Sequence, residues 1–359
     1  MNDSSIRKNS DGGGRALMIA ASLVIVIAGV KAAKTLILPF LLAMFLAMVT
    51  LPLLNWMRDK RVPTPLAVLA TLILALSIVV GLGVMIGGSI SQIADEIPTY
   101  RERLEEISGG AIAQLEGLGL PVSQEAFTDL VQPDRVWEYA QTGLKSIATA
   151  LSNLFLVLLT IVFVLFEAAG IPAKLQKAFG HRRNTERYEK IKSEIQQYLR
   201  AKTVISLTTG LLVGVGLWIV GVDSPFLWAS LAFVLNYIPS LGSIIAAVPP
   251  VLLAMVQLGP VQALVVAIIF IVVNVVLGNV AEPYLVGRKV GLSTLFVFLS
   301  LVFWGWVWGP VGMLLSVPLT MIVKIMLENT EDLRWIAILL GPAPAEEKPI
   351  KKKSKKAPA

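Results

Sequence analysis

Glu282 is where chemistry is most readily expected, because it closes a run of 58 residues, 224–281, that contains no Asp, Glu, Lys or Arg. A carboxylate in that position has two uses: it takes up a proton or cation, or it caps a helix at a membrane boundary near Arg288. Asn236, Asn274 and Asn279 lie in or at the edge of the same apolar sequence. Their amides suit a hydroxylated solute, or they bond neighbouring helices together, which is the commoner use. Ser243 and Ser316 add hydroxyls, while Pro239, Gly242 and Pro318 interrupt the helices that carry them. Ion coupling is assigned to Glu282, and the other eight residues form a candidate translocation path.

Other chemistries are excluded by counting. With no cysteine there are no disulfides, thiolate metal sites or cysteine nucleophiles, and with one histidine, His181, there is no multi-histidine metal site. The chain lacks the phosphate-cradling Gly-x4-Gly-Lys-Ser/Thr, the Gly-x-Ser-x-Gly nucleophile turn and any Asp pair within a span. It reads as a non-enzyme without cofactor or metal.

The elements that hold these residues follow from hydropathy and from Pro and Gly. The chain is 55% hydrophobic and only 15% charged, well below the roughly one quarter charged residues of soluble domains. Uncharged stretches at 62–94, 203–222, 224–281 and 290–323 each reach the length of a membrane span. The expected fold is an all-α polytopic membrane protein. Within it, 225–258 carries Asn236-Tyr237-Ile238-Pro239-Ser240-Leu241-Gly242-Ser243 and then Pro249-Pro250. Residues 290–323 carry Trp304-Gly305-Trp306-Val307-Trp308-Gly309-Pro310-Val311-Gly312 and then Ser316-Val317-Pro318. Each stretch is 34 residues long, about 17 per leg if folded in two, the lower limit for crossing. Broken apolar segments in pairs are the sequence mark of a transporter's solute site. The expectation is two helical hairpins, re-entrant or fully spanning, flanking a full span at about 261–282.

Charge sets the order along the chain. A short N-terminus, 1–15, leads into three spans within 16–90. Residues 91–145 then hold ten acids against four bases, net −6, and 170–202 hold nine bases against three acids, net +6, on either side of a fourth span at 146–169. Basic loops accumulate in the cytoplasm. The turn at 58–61, the segment 170–202, Arg288-Lys289 and the Lys-rich tail 328–359 are therefore expected inside, with both termini, and 91–145 outside. The transport core is expected over 203–327. Ile90, Ile93, Ile97, Tyr100, Leu104 and Ile107 form a seam at coiled-coil spacing, which packs on the rest of its own region or, less commonly, on a neighbouring subunit. Tyr188, Ile191, Ile195 and Tyr198 mark an amphipathic helix at the membrane surface. Three GxxxG patterns, Gly83–Gly87, Gly210–Gly214 and Gly305–Gly309, allow close helix contact. Trp304, Trp306 and Trp308 are expected in an interfacial belt. The basic loops are what topology alone produces, so no nucleic acid is expected as a partner.

The second half resembles the autoinducer-2 exporter family. The resemblance rests on Tyr198-Leu199-Arg200-Ala201-Lys202, Gly210, Gly221-Val222, Leu227-Trp228-Ala229 and the 236–242 motif. It continues through Glu282-Pro283-Tyr284-Leu285-Val286-Gly287, Trp304-Gly305, Gly309-Pro310-Val311-Gly312 and Val317-Pro318-Leu319. The first half matches in layout, with Leu38-Pro39-Phe40 in its second span. The resemblance implies a secondary carrier of the bacterial inner membrane, with about eight membrane segments counting the hairpins, that exports a small polar solute such as autoinducer-2, a quorum-sensing signal, on a proton or ion gradient. It also implies a homo-oligomer, a pentamer with elevator-like motion. Some members resemble Na+(Li+)/H+ antiporters, so proton or sodium is the expected co-ion. A non-transporting membrane scaffold is the third alternative, against which the broken helices speak.

Overall fold

Backbone groups find no water in a hydrocarbon core, so a chain that spans one must satisfy them within helices. All regular structure among the described residues is accordingly helical. The computed structural model describes residues 4–117, 154–179, 182–282, 285, 291–328, 330 and 333–342. The later part of the acidic region, Arg288-Lys289 and the end of the tail lie outside the described residues.

The helices are α1 (Ser4–Ala32), α2 (Lys34–Asp59), α3 (Thr64–Gly117), α4 (Leu154–Phe179) and α5 (Arg182–Val220). They are followed by α6 (Pro225–Leu235), α7 (Leu241–Gln257) and α8 (Pro260–Asn274), which runs into a π-helical segment, Val275–Ala281. α9 (Thr294–Trp308), α10 (Pro310–Glu328) and the short α11 (Arg334–Leu339) complete the set. Lys34–Asp59, Ser193–Val220, Pro260–Ala281 and Pro310–Glu328 are each long and apolar enough to cross a membrane, and shorter apolar helices accompany them. Their outward faces are apolar: Leu211, Trp218, Val261 and Leu264 are all more than 60% exposed. Such a surface is costly in water and natural in lipid. The chain is an all-α, multi-pass membrane protein.

From residue 182 onward the basic segment and the apolar run that follows it form one helix. No Gly or Pro interrupts 182–209, so nothing in the backbone ends the helix where the polarity changes. α3 likewise continues through Pro98. Of the seam on α3, Ile93 packs against the cluster built by α5–α8 and Tyr100 is buried against the same region. Those two positions face the chain's own core.

Packing divides the molecule into a group formed by α2, α3 and α4, with Ala43, Ala47, Leu54, Ile161 and Leu165 at its centre, and a group formed by α5 to α8 around Val213, Leu217, Val266 and Phe270. A third cluster ties Tyr198 and Leu199 of α5 to Val317 and Met321 of α10. Gly210 and Gly214 lie where α5 crosses α6: a Cβ on either would come within 2.8 Å of Ala229. That GxxxG pattern joins two helices of one chain. A Cβ on Gly305 would meet Met313 of α10, whereas nothing lies within 4 Å at Gly83 or Gly87.

Both hairpins are present. α6 has 11 residues and α7 has 17, about 16 and 25 Å of helix, so the α6 leg falls well short of a 30 Å core. They meet at 236–240, where Ser240 adopts φ +61° and ψ −42°, a strained conformation for an L-residue that costs on the order of 1–3 kcal/mol. Gly242 follows because nothing larger fits: a Cβ there would lie 1.8 Å from Leu235 O. α9 and α10 meet at Gly309, φ +71°, and Gly312 repeats the device, its Cβ falling 2.0 Å from Trp304 O. Trp308 is buried, stacks on Trp304 at 4.9 Å and donates Nε1–H to Val30 O. Trp304 donates to Thr320. Trp306 alone of the three is well exposed, with the Lys31 ammonium 3.8 Å from its ring centre. The tryptophans therefore divide between one exposed residue and two that clamp α9 to α1 and α10.

Candidate functional site

α5 enters the site through residues four apart, Tyr198 and Lys202, which share one face of a helix. Tyr198 is 6% and Lys202 3% exposed. A buried ammonium needs a partner, and it has one. Lys202 Nζ donates to both carboxylate oxygens of Glu282, at 2.9 Å each. Glu282 retains 31% of its side-chain exposure. Removing one partner of such a pair while the other stays buried costs about 3–5 kcal/mol.

Glu282 is held by unusual backbone. Its N–H donates to Leu277 O, five residues back, at the end of the π segment. π turns are rare and recur at functional sites, since each holds an extra residue that an ordinary helix would not. Gly278 within it has nothing within 4 Å of a would-be Cβ, so the segment is not locked by packing at that position.

These groups open onto a cavity of about 1090 Å³ bounded by α5, the first hairpin, α8 with its π segment, and the start of α9. Asn236, Pro239, Ser240 and Ser243 line it from the hairpin tip, and Asn274, Asn279 and Glu282 line it from the opposite wall. Asn236 Nδ2–H donates to Ser206 Oγ at 3.0 Å, and Asn274 Nδ2–H to Phe270 O at 2.7 Å. Each amide is thereby oriented by one bond and keeps its carbonyl oxygen for another partner. Tyr237, beside the tip, donates to Thr203 Oγ1 at 2.7 Å and fixes the tip against α5. Among the lining side chains Lys202, Glu282 and Tyr198 are the titratable ones; the remainder are amides, hydroxyls and apolar groups.

Six of the nine sequence-assigned residues thus meet at one cavity: Asn236, Pro239, Ser243, Asn274, Asn279 and Glu282. Gly242 lies just behind its wall as the close-contact residue of the tip. Ser316 and Pro318 belong elsewhere. Ser316 is fully buried and donates to Met313 O on its own helix, and Pro318 lines a small crevice between α2, α5 and α10. Lys202 went unassigned by sequence reasoning, because it is the last of nine bases in a segment that reads as a surface helix. Its one signal was position, adjoining the uncharged run 203–222 one turn beyond Tyr198. Glu167 pairs with Lys174 at 2.6 Å with both side chains more than half exposed, and Lys324 donates to Gly291 O. Neither touches the cavity. No group of three or more potential metal ligands occurs among the described residues.

Broken helices thus wall a cavity that holds an ion pair and several amides. Residues 20–332 match the AI-2E family transporter profile. The chain belongs to the AI-2E transporter family. It is 38% identical over 328 residues to the AI-2 transport protein TqsA of Escherichia coli K12, covering 90% of this chain and 95% of the relative. YhhT of the same strain, also named as a transport protein, is 36% identical over 91% of this chain and 94% of its own length. YrrI of Bacillus subtilis 168 is 24% identical over 82% and 86% respectively. This AI-2E family member is a transporter, and nearly the whole chain, not one module of it, takes part in the likeness.

Proposed function

We propose that the chain is a secondary transporter of the bacterial inner membrane that carries a small, polar, hydroxylated solute outward through the cavity at Lys202, Asn236, Asn274 and Glu282. One observation supports this above the rest. Lys202, Asn236, Ser243, Asn274, Asn279 and Glu282 converge on one cavity whose walls are an irregular hairpin tip and a π segment, and irregular backbone at membrane depth is tolerated where it lines a cavity. The name of the TqsA relative makes AI-2 the first solute to try.

Glu282 is the coupling carboxylate. It takes up a proton in one orientation of the site and releases it in the other. Sodium is the alternative co-ion, and a Na+(Li+)/H+ antiporter the alternative activity. Carboxylates set well inside the membrane are the usual tools of such antiporters, and Glu282 is the only acid among the described residues that line the cavity. The charge pattern favours cytoplasmic termini. Oligomerisation, with a pentamer as the family resemblance implies, would keep the first bundle fixed while α5–α8 move.

Reconstitution into liposomes tests the proposal. Labelled hydroxylated solutes, AI-2 among them, are followed together with a trapped pH dye. Solute flux accompanied by proton movement supports the carrier; sodium-dependent proton movement without solute supports the antiporter; neither flux leaves the scaffold reading.

A further inference from the structure

We propose that the solute is a monoanion, that Lys202 is its binding cation, and that Glu282 occupies its place until protonated. This rests on the transport reading of the cavity and names its substrate class and coupling rule. Lys202 Nζ, on a side chain only 3% exposed, directs bonds to both Glu282 oxygens at 2.9 Å. A carboxylate on a small acid would present the same two oxygens to the same ammonium. Glu282 therefore acts as an internal copy of the ligand's charged end, within a cavity large enough for a solute beside it.

Burial makes the exchange obligatory. An ammonium removed from water cannot remain bare, so Glu282 leaves only when an anion replaces it. Displaced, the carboxylate no longer has a cation beside it, and a proton takes the cation's place. One proton binds a carboxylate oxygen of Glu282 as one anion binds Lys202. The site is neutral before the exchange and neutral after it. Of the groups facing this event, α5 contributes Lys202 and Tyr198 and the π segment leads to Glu282; the lining residues of α7, α8, α9 and α10 are uncharged. The motion is available in the backbone, because returning the π turn to α-helical register rotates Glu282 by about 100°. Solute and proton then cross together, with the direction set by the product of their two gradients. A cell that produces the acid inside exports it with its proton.

The test uses the purified full-length chain in lipid nanodiscs, with glycerate as probe and glycerol as its neutral counterpart, at constant ionic strength. Thermal unfolding is followed by tryptophan fluorescence at pH 5.5 and pH 8. Glycerate is expected to stabilise the wild-type chain at the lower pH, with an apparent affinity at least tenfold weaker at pH 8, and glycerol at neither. Glu282→Gln, a permanent copy of the protonated form, should bind glycerate equally at both pH values, and Lys202→Met at neither. A pH-independent glycerate response in the wild type, no response at either pH, or an undiminished response in Lys202→Met would overturn the proposal. The wild-type comparison suffices if a variant does not fold. Glycerate binding as expected without solute flux in liposomes would remove the transport reading alone; flux of a neutral solute without glycerate binding would remove this inference alone.

Discussion

Lys202 and Glu282 stand 80 residues apart in the chain and share a two-oxygen contact at 2.9 Å. The two partners are unequal, for Lys202 is buried and Glu282 is about one-third exposed. Water can solvate the carboxylate if the ammonium is removed, but it reaches the ammonium poorly if the carboxylate is removed. Glu282→Gln is therefore expected to lose about 3–5 kcal/mol, and Lys202→Met about 1–3 kcal/mol. The double variant should be more stable than Glu282→Gln alone. Denaturation of the four proteins in one lipid environment checks the order, and equal losses in the two single variants would contradict it.

Glycine substitutions separate the two hairpin tips from the π segment. Gly242→Ala and Gly312→Ala drive a methyl group into backbone oxygens at 1.8 and 2.0 Å, so each should cost at least about 3 kcal/mol and abolish transport. Gly278→Ala meets nothing within 4 Å and is expected to gain roughly 0.5–1 kcal/mol through lower backbone entropy in the unfolded chain. If the π segment moves in the cycle, that gain should come with slower flux. Thermal unfolding and flux on the same three variants provide the comparison.

Because the chain has no cysteine, single replacements report water access directly. Ser240 is exposed at the cavity and Ser316 is fully buried beside Met313. A membrane-impermeant maleimide should modify Ser240→Cys at least ten times faster than Ser316→Cys. Comparable rates would mean that the second hairpin also lines an aqueous path.

At the far end of α5 and α7, Tyr100 OH donates to Asp223 Oδ2 at 2.6 Å, Gln257 bonds both Asp223 N and Gly221 O, and Arg103 donates to Gln257 O. Burial first, then the Asp223 carboxylate, raises the Tyr100 phenol above its usual value of 10.0. The folded chain then keeps a proton that the unfolded chain gives up, so this stability is complete below pH about 10 and falls away as pH rises beyond it. Tyr100→Phe should lower stability by about 1.5–3 kcal/mol at neutral pH, the range for a hydrogen bond to a charged group. The gap to wild type should narrow between pH 10 and 11. Unfolding midpoints across that range measure it.

Proline and glycine made the hairpins legible, because a missing N–H or a missing Cβ acts on the backbone within one turn. The tips fall at 236–240 and Gly309, inside the motifs quoted for them. Backbone breaks do not reveal which face a helix turns toward a cavity, so Ser316 and Pro318 read like Ser243 and Pro239 yet sit in a packed core. Lys202 was hidden for a different reason. Arg200, the base nearest to it in sequence, is exposed, and the acid that gives Lys202 meaning arrives only when α8 folds back along α5. Long-range ion pairs leave no local period. The continuity of α5 was legible in principle, since nothing in 182–209 breaks a helix, but the change in polarity suggested a boundary that the backbone does not have.

The cavity is proposed to carry the solute, and Glu282 to couple it to a proton. The most direct measurement follows solute and proton flux together in liposomes holding the wild-type chain or Glu282→Gln. Wild type is expected to move both, and Glu282→Gln to exchange labelled for unlabelled solute while its proton signal is lost. Glu282→Gln moving solute and protons as the wild type does would contradict it.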